Sequence, residues 1–216
     1  MDNANSGQAG LLLAAMEPSP ELEEEFQQWY DTEHFPERQG TKGFLTAARF
    51  VCLDGWPRYL AIYDLEDLGV LSGPEYAKIA GENYSRWTAR VVPRVWGHYR
   101  AGARQIYPGK ALLGQNGSSS RLAVWRFRQV PPSAGERILA GLREIYEGRP
   151  EVAQLRLFEA EQSDGTDLLG IAELHAPWTP PEGAVATLGE GRRYLDMVNV
   201  YTRYERWLAG PQLRRT

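Results

Sequence analysis

The residues best suited to chemistry are concentrated between Phe26 and Phe50, in FQQWYDTEHFPERQGTKGFLTAARF. Phe26, Tyr30 and His34 recur every four residues, so a helix would carry them on one stripe. An imidazole changes protonation nearest neutral pH, which makes His34 the first candidate for a general acid or base, with Tyr30 one turn earlier as a hydrogen-bonding helper. The plainer alternative is that Phe26, Trp29 and Tyr30 are core residues and His34 caps the helix end. His98, two residues before Arg100 in VWGHYR, is the second candidate. Guanidinium groups grip planar carboxylates and aromatic rings pack against flat conjugated systems. Arg49, Arg100 and Arg203, taken with Tyr63, Trp87, Trp96 and Tyr201, therefore predict a site for an unsaturated or aromatic acid. There a histidine would move a proton beside a carbonyl while a tyrosine or arginine holds the developing enolate.

Composition narrows the setting. The chain has 216 residues, 43% of them hydrophobic and 11% aromatic, which is ample for a buried core. A formal net charge of −4 with interspersed signs gives no basic face, so no nucleic-acid partner is expected. The apolar run 11–16 is too short to cross a bilayer, and the start MDNANSGQAG lacks the features of a signal peptide, so a cytoplasmic protein without membrane attachment is expected. Cys52 is the only cysteine and there are three histidines, His34, His98 and His175, so no metal site is expected. No Walker loop or GxSxG elbow occurs, and residues 118–120 (SSS) read as linker.

The elements that must position these residues follow from pattern. A strand over 11–17 is followed by a helix that starts with Ser19 as N-cap and Pro20 at its first position, runs to His34 and is broken at Pro36. Strands over 44–53 and 59–65 flank the turn Asp54-Gly55 as an antiparallel hairpin. A helical region over 74–92, interrupted at Gly81, leads to a strand over 95–107. The order β-α-β-β-α-β then recurs: a strand over 121–128, a helix over 133–146, strands over 152–161 and 168–176, a short helix over 181–191 and a strand over 197–207. The fold class is thus α+β, with duplicated ferredoxin-like units at 1–108 and 109–216. YLAIYDL aligns without gaps with LLGIAEL, and RVWGHYR with MVNVYTR, which sets His98 opposite Tyr201 and Arg100 opposite Arg203. Alternation assigns Trp96, His98 and Arg100, with Asn199, Tyr201 and Arg203, to a cavity between the two sheets.

The stretch WYDTEHFPE, with Gly43-Phe44, Arg49-Phe50 and the block PRYLAIYDLED over 57–67, resembles the dimeric α/β-barrel superfamily and, within it, small EthD-like proteins. The likeness covers only the first half, since the helix over 133–146 has no WxxxxH. It implies a barrel built from two ferredoxin-like units, closed within one chain or between chains, and a homodimer as the assembly. For activity it implies a cofactor-independent isomerase or cyclase of aromatic catabolism. The alternatives are a cofactor-free or haem-dependent monooxygenase, with His98 as the iron ligand, and a non-catalytic binding protein. One working site per chain is expected, on the first unit, with Tyr201 and Arg203 as walls.

Overall fold

The computed structural model describes residues 8–204 with the exception of residue 118. The first half runs β1 (Gly10–Glu17), a short 3-10 turn at Pro20–Leu22, α1 (Glu23–Trp29), a π turn (Tyr30–His34) and α2 (Phe35–Gln39). It continues through β2 (Ala48–Asp54), β3 (Tyr59–Leu65), the short helices α3 (Pro74–Ala77) and α4 (Arg86–Val91), and β4 (Trp96–Tyr107). The second half runs β5 (Arg121–Phe127), α5 (Pro132–Tyr146), β6 (Val152–Gln162), β7 (Gly165–Leu174), a 3-10 stretch (Ala184–Tyr194) and β8 (Leu195–Arg203). All eight strands close one antiparallel barrel in the order β1-β3-β2-β8-β5-β7-β6-β4. Around the ring the first four stand as β4-β1-β3-β2 and the last four as β8-β5-β7-β6, the same order with each number raised by four. The seams are β2 against β8 and β4 against β6, so the barrel closes within one chain.

Strand alternation divides the apolar residues into three cores. In β1, Leu11, Leu13 and Ala15 point into the barrel, whereas Leu12, Ala14 and Met16 point outward to Phe26, Trp29 and Tyr30. The interior is filled by Phe50, Ile62, Phe158, Ile171, Tyr201 and smaller residues. An eight-stranded barrel is only wide enough for its own side chains. The expected cavity between the sheets is therefore occupied by packed core. Outside, α5 lays Ile138, Leu142, Ile145 and Tyr146 on Trp125, Leu157 and Leu168, and the Trp125 indole N–H donates to the Tyr146 hydroxyl at 2.6 Å.

One end of the barrel holds a buried ionic cluster. Arg156, fully buried, donates from Nη1 to Asp64 Oδ1 at 2.7 Å and pairs through Nη2 with Glu173 Oε1 at 3.3 Å. The segment after β4 closes over them, donating the Leu113 and Gly114 backbone N–H groups to Asp64 Oδ2 at 2.6 Å and Glu173 Oε2 at 2.8 Å. Asp64 and Glu173 are the residues that the alignment of YLAIYDL with LLGIAEL sets opposite each other, and both point inward.

Several local expectations are corrected. The Ser19 side chain caps nothing, and α1 begins only at Glu23 after the 3-10 turn. The interruption of the region 74–92 at Gly81 is as expected, since Gly81 takes a positive φ of 60° that ends helical winding, but the flanking pieces are shorter than expected, with a further 3-10 turn at Gly81–Asn83. The strand expected over 44–53 begins at Ala48, Phe44 contributing one bridge to Leu65. The last strand ends at Arg203, and residues 205–207 of its expected range lie outside the described residues.

Candidate functional site

The helix does not break at Pro36. Proline has no N–H and its ring would meet the carbonyl four residues back, so an ordinary α ladder cannot continue through it. The chain instead widens by one residue: the Phe35 N–H bonds to the Tyr30 carbonyl, five residues back, and α2 resumes with Pro36 in its first turn. Such π turns are frequent at functional sites. The aromatic stripe survives the change, with Phe26, Tyr30 and His34 all buried. The His34 ring lies 4.2 Å from the Trp29 ring and 5.1 Å from the Tyr30 ring, centroid to centroid. Trp29 is held in turn by its indole N–H, which donates to Thr88 Oγ1 at 3.0 Å.

This stripe faces the outer surface of the first-half strands and encloses a cavity of about 20 Å³. Leu12, Ala14 and Met16 of β1, Tyr63 of β3, and His98 and Arg100 of β4 form its floor; Tyr30, His34 and Arg38 form one wall, and Tyr76, Tyr84 and Val92 cover it. The volume is little more than one water molecule requires. Two buried polar atoms of lining residues, His34 Nδ1 and the Tyr63 hydroxyl, have no well-formed hydrogen bond. Larger hollows exist, including a groove of about 650 Å³ at the barrel rim lined by Leu45, Leu65, Leu112, Glu66 and Lys110, but it contains no imidazole or phenol.

Burial holds the His34 imidazole well below its ordinary value of 6.5, and the positive fields of Arg38, Arg49 and His98 add to the effect. It is neutral at pH 7. Burial likewise raises the Tyr30 phenol and raises Tyr63 further, the neighbouring Tyr30 phenol adding to the rise at Tyr63. His98 is more exposed; partial burial and then Arg100 lower it. A neutral base beside two protonated phenols and two guanidinium groups can accept a proton from carbon and stabilise the oxyanion left behind.

Of the residues singled out from sequence, the structure brings Tyr30, His34, Tyr63, His98 and Arg100 to this one cavity. His98 and Arg100 share a strand face, as alternation requires, but it is the helix-covered outer face and not the barrel interior. Tyr201 lies on the other side of the sheet, fully buried, its hydroxyl accepting from Asn199 Nδ2 at 3.0 Å and donating to the Pro57 carbonyl at 3.3 Å, and burial pushes its phenol up to about 12. Pairing His98 with Tyr201 in the gap-free alignment is thus one residue out of phase, and a one-residue slip exchanges the faces of a strand. Arg203 lines a separate hollow at the barrel mouth with Phe50 and Glu173. Trp96 is 60% exposed. Trp87 packs against the outer core with its indole N–H buried and unpartnered, but does not line the cavity. Arg49 is occupied: it pairs with Asp31, donates to Gln27 Oε1 at 2.7 Å, and lies 4.2 Å from the Tyr30 ring and 4.4 Å from the Tyr204 ring. It braces α1 against β2. Arg38 and Tyr76 were not among the expected site residues, although Arg38 continues the spacing of Phe26, Tyr30 and His34 by one more step of four.

In the second half, among the described residues, Trp125, Tyr146 and Leu142 pack into the space between sheet and helix, and the hollow at the end of α5, of about 260 Å³ and lined by Tyr107, Tyr146 and Leu155, contains no imidazole. The histidine of that half, His175, is exposed just past β7. A haem would need a cavity of the order of 300–1,000 Å³, and the first-half cavity that His34 and His98 help to line has about 20 Å³. That cavity, as closed in this structure, does not fit the group. Among the described residues no set of three His, Cys, Asp or Glu is placed to hold a metal ion, and no helix is long and apolar enough to cross a membrane.

Comparisons with known proteins agree on architecture. No family of known sequences matches the chain, and no curated protein matches it. Solved structures do: an anthrone oxidase-like protein aligns with 92% of this chain and 92% of its own at 11% identity, with a TM-score of 0.65. A protein provisionally assigned as a monooxygenase from Fusobacterium nucleatum subsp. nucleatum aligns over 91% and 92% at 9% identity, with a TM-score of 0.51. Chlorite dismutase from Candidatus Nitrospira defluvii aligns over 91% and 92% at 9% identity, with a TM-score of 0.52. At such identities the shared property is the fold, here an α+β arrangement with an eight-stranded antiparallel barrel closed within a single chain.

Proposed function

We propose that this chain is a cofactor-independent enzyme in which neutral His34 takes a proton from a small conjugated substrate, with Tyr30 and Tyr63 donating to the oxygen that becomes negative. The observation that carries the reading is the buried imidazole whose Nδ1 is unpartnered in a residue lining a cavity that also presents phenols and guanidinium groups. Isomerisation or cyclisation follows if the proton returns at another atom. Relationship to EthD-like proteins, through WYDTEHFPE, belongs to the same reading, as does the view of residues 1–108 and 109–216 as two ferredoxin-like units, only the first carrying a site. The recurring strand order supports that view.

A second reading, oxygenation of the carbanion, is favoured by the fold shared with the anthrone oxidase-like protein and the assigned monooxygenase. Both readings begin with the same proton transfer. Anthrone serves as a probe: conversion of its methylene to a ketone consumes one O₂ and releases one water, whereas proton transfer alone exchanges the methylene hydrogens with D₂O without O₂ uptake. An oxygen electrode and NMR in D₂O separate the two. Neither O₂ uptake nor exchange, on anthrone or on a panel of conjugated acids, would leave a non-catalytic binding protein and refute the proposal.

A further inference from the structure

We infer that Arg38, with Arg100 and Tyr76, forms a receptor for one delocalised oxyanion, so that the cavity selects planar monoanions such as aromatic carboxylates over neutral molecules of the same shape. The inference deepens the proposed function and rests on the same cavity being the reaction site. Arg38 is 4% exposed. A guanidinium offers five donors, yet its polar partners among the described residues are the His34 carbonyl at 3.4 Å and, at 3.6 Å, a Glu37 carboxylate that is one-third exposed. Burying a cation with so little compensation is strongly unfavourable unless a charged ligand completes it. Other arginines are charge-paired at shorter range, Arg49 with Asp31, Arg156 with Asp64 and Glu173, and Arg58 with Glu17 and Glu23, although Arg156 too keeps buried N–H groups, at Nε and Nη2, without a well-formed hydrogen bond.

Tyr76 links the two cations at the cavity. Its ring lies 5.9 Å from the Arg38 guanidinium carbon, and its hydroxyl accepts from Arg100 Nη2 at 3.0 Å. Among the described residues no acidic side chain lines the cavity. Positive charge is therefore left over at one point of a chain whose net charge is −4, and two guanidinium forks are the usual means of holding a carboxylate. The free space admits a head group of carboxylate-oxygen size but not an aromatic ring, so the ring must extend toward the more open His98 and Arg100, with Tyr76 moving aside.

Benzoate and its neutral isostere benzamide provide the test, by titration calorimetry on the wild-type protein. Saturable benzoate binding at one site per chain, at least tenfold tighter than benzamide, is expected. Arg38→Gln should weaken benzoate at least tenfold and leave the weak benzamide affinity unchanged; Arg100→Gln, at a more exposed position, should weaken it several-fold. Equal affinity for the two probes, no benzoate binding at millimolar concentration, or an Arg38→Gln variant that binds as the wild type would overturn the inference. If Arg38→Gln fails to fold, the probe pair and Arg100→Gln decide. Benzoate binding that depends on Arg38, together with a fully active His34→Gln variant, would refute the proton-transfer reading and leave the receptor standing.

Discussion

Replacing His34 by Gln tests the neutral-base assignment through stability as well as rate. The unfolded chain binds a proton at His34 with an ordinary value of 6.5, while the folded state binds it far more weakly. Protonation therefore favours unfolding. The contribution of His34 to stability is complete above pH 6.5 and is lost as the pH falls through the window between 6.5 and the depressed folded value. The loss is about 1.4 kcal/mol at one pH unit below 6.5 and about 2.7 kcal/mol at two, as long as the folded value lies lower still. His98 is also lowered and adds a slope of the same sign, and carboxylates add theirs, but both persist in the variant. The difference between wild type and His34→Gln isolates the one group. That difference should include a constant offset of about 1 kcal/mol from lost ring contacts with Trp29 and Tyr30, and a pH-dependent part that shrinks by about 1.4 kcal/mol per unit below 6.5. Urea unfolding at pH 7.5, 6.5 and 5.5 measures it. Parallel curves for the two proteins would show that His34 titrates normally and would defeat the argument for a neutral base. In the same variant kcat should fall roughly 10²–10⁴-fold if His34 transfers the proton.

Tyr63→Phe removes a buried hydroxyl without a well-formed hydrogen bond, so stability should be unchanged or rise by up to about 1 kcal/mol while turnover falls; a stability loss above about 1 kcal/mol would mean that the hydroxyl is structurally engaged. Arg156→Met leaves Asp64 and Glu173 facing each other in the barrel end without their shared cation, and should cost about 3–5 kcal/mol in denaturant unfolding; a loss below about 1 kcal/mol would contradict the described pairing. Titration with haemin should give no saturable Soret band, and a band that disappears in His98→Ala would overturn the conclusion that the first-half cavity does not fit the group.

The order of elements, the antiparallel hairpin of β2 and β3, and the stripe that carries His34 were legible in the sequence because each depends on neighbours within a few residues: a period of four for the helix, a period of two for the strands, Asp54-Gly55 for the turn. The same local logic grouped His98 with Arg100 correctly. Which face of the sheet holds the site is a different kind of fact. Alternation gives two faces and does not say which one the helices cover, so from sequence alone His98 and Arg100 fall to the interior that Phe50, Phe158 and Tyr201 in fact fill. Arg49 and Arg38 illustrate the same limit. Both are arginines near His34 in the chain, but only the closed barrel sets Asp31 and Gln27 against Arg49 and leaves Arg38 beside Tyr76 with the partly exposed Glu37 carboxylate at 3.6 Å as its acid. Periodicity determines which side chains share a face. Charge compensation, cavity volume and the neutrality of His34 come from atoms brought together across β1, β3, β4 and the helices, and these only the tertiary structure could decide.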